Sequence, residues 1–246
     1  MERRFKNFGE EYEWYLKADP HYMDVQKTLA EELIASIPPN SSKTVEVLEI
    51  GCGTGLTLSE ILQIAPKNVL MYALDNESDM LEKAIDNNRD ESIIWIHSDA
   101  LEYVSKRENK FHAIVSAYTL HNMLKGYRKE LYGAIHKALK PNGVFINADR
   151  IPRGHDDQIM KDLNWEINQY ANIFIPAGKP DLARQWIDHV FTDAQEDRIQ
   201  REGQYISDME ELGFLKPKEL FRERMLSVYA TQKLYRQLTT TSSVRS

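Results

Sequence analysis

The residues best suited to chemistry are Gly51, Cys52, Gly53, Thr54 and Gly55, which follow the apolar run Val45 to Ile50 directly, with Glu49 just before them. Glycines at alternate positions make a turn that tolerates unusual dihedrals and lets a ligand approach the backbone closely. Such a turn between a strand and a helix predicts backbone N–H groups directed at that ligand. A pyrophosphate-binding dinucleotide loop has two residues between its second and third glycines, whereas only Thr54 separates Gly53 from Gly55. The spacing turns the reading away from dinucleotides. Cys52 reads as a small packing residue rather than a nucleophile.

Further chemistry-bearing residues stand at the ends of the next strand-like runs. Asp75 and Asn76 follow Val69 to Leu74, and Ser98, Asp99 and Ala100 follow Ile93 to His97. Either aspartate also reads as an ordinary helix N-cap. Ala117, Tyr118 and His121 lie at and beyond the end of Phe111 to Ala117. His121 is the candidate general base, because imidazole titrates near neutrality and ligands of open α/β sheets bind at the carboxyl edge; capping or packing is its alternative. The ring of Tyr118 suits a cation. Arg150, beside Asp149 and close to Arg153 and His155, suits a bidentate hold on a substrate carboxylate, with structural ion pairing as the competing role.

The elements that must position these groups are legible in outline. Val25, Leu29, Leu33 and Ile37 fall at helical spacing in a lead-in segment, which Pro38-Pro39 breaks. Strand-like and helix-like runs then alternate: Val45 to Ile50, Val69 to Leu74, a helix near Ser78 to Asn87, Ile93 to His97, a short helix from Ala100, Phe111 to Ala117, a helix near Tyr127 to Leu139, and Gly143 to Ala148. Alternation of this kind predicts right-handed crossovers and a parallel sheet covered on both faces. Beyond Asp149 two helical stripes appear, one through Ile159, Leu163, Ile167, Tyr170 and Phe174 and one through Leu182, Trp186 and Val190. A helix near Gln204 to Leu212, stopped by Gly213, and two strands near 218–221 and 225–231 finish the pattern in a hairpin.

The expected organisation is a lead-in or lid at 1–40, a core at 41–150, a helical cap insertion at 151–203 forming the substrate pocket, a completing helix and strand pair at 204–236, and a tail at 237–246. The chain of 246 residues, 42% hydrophobic, suits one α/β domain with an insertion. A formal charge of −7 argues against a nucleic-acid surface. The single cysteine excludes an intramolecular disulfide and a cysteine-rich zinc site, and His189 and Asp193 recur in no metal-ligand spacing, so no metal is expected. The start of the chain lacks a signal-peptide pattern and no run reaches the roughly 20 apolar residues of a membrane span, so the expected setting is cytoplasmic.

Taken in order, Glu49 through Gly55, Asp75, Ser98-Asp99-Ala100, Ala117 through His121 and the turn Leu139 to Gly143 resemble the class I S-adenosylmethionine-dependent methyltransferases over about residues 45–150, and again at the final strands. The resemblance implies a Rossmann-like, doubly wound seven-stranded sheet, mostly parallel with an antiparallel last strand and a helical insertion after the fifth. It implies that the glycine loop holds the methionine part of S-adenosylmethionine, that Asp75 accepts hydrogen bonds from the ribose hydroxyls with its two oxygens, and that Asp99 meets the adenine. In this family N-terminal helices often close over the cofactor, so Tyr15 or Tyr12 is an expected ligand contact, with core packing as the competitor. The implied activity is methyl transfer to an oxygen, nitrogen or carbon of a small molecule, with S-adenosylhomocysteine as product. Carboxy-S-adenosylmethionine synthases share the arrangement and form a second reading, a non-catalytic cofactor-binding partner a third, and a dehydrogenase the residual one. A homodimer is the protein partner that the aromatic insertion leaves open.

Overall fold

The computed structural model describes residue 14 and residues 16–38 and 43–234. The expected tail at 237–246 and the contacts of Tyr12 and Tyr15 lie outside the described residues. The chain runs α1 (Tyr22–Ser36), β1 (Val45–Ile50), α2 (Leu56–Ile64), β2 (Val69–Asp75), α3 (Ser78–Asn87), β3 (Ile93–His97), α4 (Ala100–Ser105), β4 (Phe111–Ala117), α5 (Lys125–Ala138), β5 (Leu139–Arg150), α6 (Asp156–Phe174), α7 (Pro180–Asp193), α8 (Glu202–Glu211), β6 (Lys218–Glu223) and β7 (Leu226–Gln232). A 3₁₀ turn, Leu120–Asn122, lies between β4 and α5.

The seven strands form one sheet in the order β3-β2-β1-β4-β5-β7-β6. Pairing is parallel from β3 through β5, and β7 is antiparallel to both β5 and β6. β1 is buried at five of its six positions, since a central parallel strand is covered on both faces and reads as a continuous apolar run. One face packs α1 and α2 through Val25, Leu29, Leu33, Leu58 and Ile61; the other packs α5 and α8 through Leu131, Ile135, Tyr205 and Met209. Burial of a Leu or Ile side chain contributes about 1.5–3 kcal/mol, so these stripes suffice to fix each helix on its face.

Strand order reverses between β1, which leads outward to β2 and β3, and β4, which starts the other half. This switch point opens a crevice at the carboxyl ends of the two strands, where ligands of open α/β sheets bind. α6 and α7 follow β5 and build a separate apolar cluster of Ile159, Leu163, Tyr170, Phe174, Trp186 and Val190, which also takes in Ala18 and Tyr22. The expected fifth strand at 143–148 is longer. Leu139 pairs with Phe111 before the chain bulges at Lys140 to Asn142, and pairing with β7 carries the strand on to Arg150. No helix among the described residues is long and apolar enough to cross a membrane.

Candidate active site

The glycine loop caps β1. Gly51, Gly53 and Gly55 all have positive φ (+71°, +53° and +83°), conformations that an L side chain adopts only with strain. At Gly51 a second reason appears: an added Cβ would lie 2.3 Å from the Thr119 side chain, which belongs to the loop after β4. The two halves of the switch point therefore touch at a residue that has no side chain.

The loop's donors do not point outward as the sequence predicts. The N–H groups of Gly51 and Cys52 both donate to the Leu74 carbonyl, that of Gly53 donates to Asp75 Oδ2 at 2.8 Å, and that of Gly55 donates to the Cys52 carbonyl. Adjacent β2 captures the first three, because its end lies level with the turn. What the loop offers a ligand is close approach, not an anion cradle. A pyrophosphate would find few donors here.

Asp75 ties this loop to the next one, its Oδ1 accepting from Glu77 N at 2.9 Å. Burial pushes its pKa up, and the N–H groups of Glu77, Gly53 and Asn76 pull it back down. Asp99 is the N-cap of α4, as its alternative reading expects, yet it also lines the crevice; its Oδ1 accepts from Glu102 N at 3.0 Å and from the Tyr127 hydroxyl at 2.7 Å. Together with Glu77, these carboxylates face a solvent-open cleft whose empty space, open solvent included, is about 970 Å³. No Lys, Arg or His lines it among the described residues.

Gly51, Cys52, Gly53, Asn76, Ser98, Ala100, Ala117 and Tyr118 line this same cleft. Burial pushes the Cys52 thiol well above its ordinary range, so no reactive thiolate forms there. Tyr118 holds a positive φ of +50° at the end of β4, stacks on Tyr22 with centroids 4.8 Å apart, and donates a 3.2 Å hydrogen bond to Asp19. Tyr22, Thr119, Asn122 and Tyr127 belong to the site too. Thr119 and Asn122 adjoin the singled-out residues, but Tyr127 lies on α5 among helical positions and carries no local signal.

Four of the expected site residues do not line the cleft. Glu49 lies fully buried beneath the loop, where desolvation pushes its pKa up to about 8, and its Oε2 finds no hydrogen-bond partner among the described residues. Gly55 is the N-cap of α2 and packs against Asn88. His121 and Arg150 line a neighbouring cavity under α6 and α7, together with Asp193 and Gln200. There His121 Nδ1 is hydrogen-bonded to Asp149 Oδ1, its backbone N–H donates to Asp149 Oδ2 at 3.0 Å, and Arg150 Nη2 donates to Glu166 at 2.8 Å. Trp14 packs edge to face on Phe174 of α6, 6.4 Å between centroids.

Comparison with known proteins agrees with this architecture. Residues 47–143 match the methyltransferase-domain family. A malonyl-[acyl-carrier protein] O-methyltransferase of Priestia megaterium is 30% identical over 147 residues, 59% of this chain and 49% of its own length. A carboxy-S-adenosyl-L-methionine synthase of Campylobacter fetus is 26% identical over 138 residues, 54% of each chain. The chain thus spans about half the length of these curated relatives. Among solved structures, the CurJ carbon methyltransferase superposes with a TM-score of 0.65 at 19% identity, covering 92% of this chain and 58% of that one. The fold is therefore the Rossmann-like sheet of the methyltransferases. Residues 47–143, about two fifths of the chain, are thus similar to that methyltransferase-domain family.

Proposed function

We propose that this chain moves a methyl group from S-adenosylmethionine to a small-molecule acceptor held beneath α6 and α7. The observation that carries the reading is the charge of the cleft: Asp75, Glu77 and Asp99 line it, no cationic side chain does among the described residues, and β2 takes the N–H groups of Gly51, Cys52 and Gly53. Such a lining suits a net cationic sulfonium ligand and disfavours a phosphorylated one. Asp75 would hold the ribose, Asp99 the adenine, and the loop from Gly51 to Gly55 the methionine portion. Glu49, whose buried Oε2 lacks a hydrogen-bond partner among the described residues, would lie beneath the methionine portion.

When bound, S-adenosylmethionine supplies an electrophilic methyl on a good neutral leaving group for an in-line displacement. The chain's part is alignment and exclusion of water. Tyr118, fixed by its stack on Tyr22 and its bond to Asp19, presents an aromatic face at the mouth of β4. The helices α6 and α7 act as the cap over the acceptor, and residue 14 with residues 16–22 close the same side.

The curated synthase relatives favour a second reading, modification of the bound cofactor itself to a carboxylated product at the same loop. Against it, the end of the cleft formed by Tyr118, Thr119, Asn122 and Met123 offers no cation to a carboxylate on the transferred group, and Arg150 is paired with Glu166 in the other cavity. One experiment separates the readings: incubation with methyl-labelled S-adenosylmethionine and a metabolite extract, followed by mass spectrometry. Label in a small molecule together with S-adenosylhomocysteine supports methyl transfer. A carboxylated cofactor selects the synthase, cofactor binding without turnover selects the non-catalytic partner, and tighter calorimetric binding of NAD overturns the cofactor assignment.

A further inference from the structure

At the edge of the neighbouring cavity, which His121 and Asp193 line, lies a cluster that no sequence spacing reveals. His121, from the 3₁₀ turn after β4, and His189 and Asp193, one turn apart on α7, bring one ligand atom each to within 4.8 Å of one another. Asp193 Oδ2 is 3.1 Å from His189 Nε2 and 3.6 Å from His121 Nε2. We propose that His121, His189 and Asp193 form a binding site for one divalent first-row transition ion.

Four features point to an ion rather than to packing alone. Donor type is the first: two imidazoles and one carboxylate suit zinc, iron, cobalt or nickel better than magnesium or calcium, and three protein ligands leave a position open. Spacing is the second. Ligand atoms around a tetrahedral ion at Zn–N and Zn–O distances stand about 3.3 Å apart, which two of the three separations already approach. The third, between the two imidazole nitrogens, closes with a side-chain movement on the order of 1 Å. Orientation is the third feature: Asp149, fully buried, holds Nδ1 of His121 and so leaves Nε2 as the coordinating nitrogen, the outer-shell arrangement typical of metal-bound histidines. The fourth is Gln200, 4% exposed, which lines the cavity with both side-chain polar atoms lacking partners among the described residues. A water or oxygen ligand on the open coordination position would satisfy it.

Charge balance agrees. Among the described residues, the carboxylates of Asp149, Asp193 and Glu166 gather around the guanidinium of Arg150 and the two imidazoles, and one divalent ion would add positive charge beside them. Arg150 Nη1 also lies 3.6 Å from Asp193 Oδ2, so it competes for that oxygen, but its 2.8 Å bond to Glu166 keeps it paired when an ion takes Asp193. The cavity beside the cluster, lined also by Leu163 and Met225, would admit a small oxygen-donor ligand.

The test uses the full chain, stripped of metal by chelator and dialysed, and reads affinity for Zn²⁺ alone by competition with a chromophoric chelator, with Co²⁺ as a spectroscopic stand-in. The expected result is one equivalent of Zn²⁺ and visible ligand-field absorption with Co²⁺. His189→Ala and Asp193→Ala should each weaken Zn²⁺ binding by about 100-fold or more, and Asp149→Asn by about 10–100-fold, while His155→Ala leaves it unchanged. Circular dichroism confirms that His189→Ala, on an exterior helix, remains folded. Absence of stoichiometric Zn²⁺, or equal binding by the folded His189→Ala variant, overturns the site and leaves an ion-pair cluster. Because the readout is metal affinity, the outcome is independent of whether the chain transfers methyl groups.

Discussion

Two polar regions lie on either side of the loop after β4, and they are built in opposite ways. The cofactor cleft gathers short segments from consecutive strand ends, and its polar atoms are largely arranged by the backbone: the Leu74 carbonyl, the Asp75 carboxylate and the Gly53 N–H sit within one layer. The cavity beyond His121 joins the ends of β4 and β5 to α6 and α7, residues up to about seventy positions apart, mainly through side chains. Adjacent residues divide between them, since Asn122 faces the cleft and His121 faces the cavity. The lesson is that a backbone-built site tolerates few changes at its glycines, whereas a side-chain-built site rests on buried carboxylates and their partners.

The sharpest way to break this contrast is Gly51→Val. With Thr119 only 2.3 Å from the added Cβ and φ at +71°, S-adenosylhomocysteine affinity in calorimetry should fall more than about 100-fold. Gly53→Ala, which has open space around its Cβ, separates folding from binding: about 1–2 kcal/mol of left-handed strain in a thermal melt, with a clear loss of affinity. Unchanged affinity in both variants would remove the loop from the site.

Asp75→Asn should weaken S-adenosylhomocysteine by about 10–100-fold, the worth of hydrogen bonds to a charged acceptor. Because burial holds the Asp75 pKa above its ordinary 3.8, wild-type affinity should begin to fall, on acidification, at a higher pH than an exposed aspartate would give. The Asn variant should lack that inflection.

Glu49 sharpens the electrostatic side of the comparison. Its pKa rises from 4.5 to about 8 in the fold, so the neutral form is the one the fold accommodates. Its contribution to stability is therefore fully present below pH 4.5 and is lost as pH rises through about 8. Urea unfolding of the cofactor-free chain should show wild type losing on the order of 1 kcal/mol per pH unit across that window relative to Glu49→Gln. Parallel curves for the two proteins would mean that Glu49 is solvated.

The smallest effect belongs to Tyr118→Phe, which removes the bond to Asp19 and keeps the stack on Tyr22. A loss of about 1 kcal/mol in stability and a few-fold change in cofactor affinity are expected. A large drop would move Tyr118 into the chemistry itself.

Much of the first region could be read from the chain. Strand β1, its glycine turn and Asp75 are local patterns, and a run of buried aliphatics ending in alternate glycines has few other structural uses. The helical stripes Ile159 to Phe174 and Leu182 to Val190 were equally legible, because helical periodicity survives without knowledge of the partner surface. What failed was orientation: the loop N–H groups turn to Leu74 and Asp75, since the neighbouring strand competes for them, and periodicity says nothing of such competition. Tyr127 enters the cleft from the first turn of α5 for a similar reason, through its bond to Asp99.

By itself, then, the sequence determined the order of strands and helices, the glycine turn and the acidic residues that follow it, because each is encoded by neighbours in the chain. Tertiary structure decided which side chains share a cavity. His121, 68 residues before His189 in the chain, meets it only because β4, β5 and α7 pack at one edge of the sheet, and no local pattern records a meeting created by long-range burial.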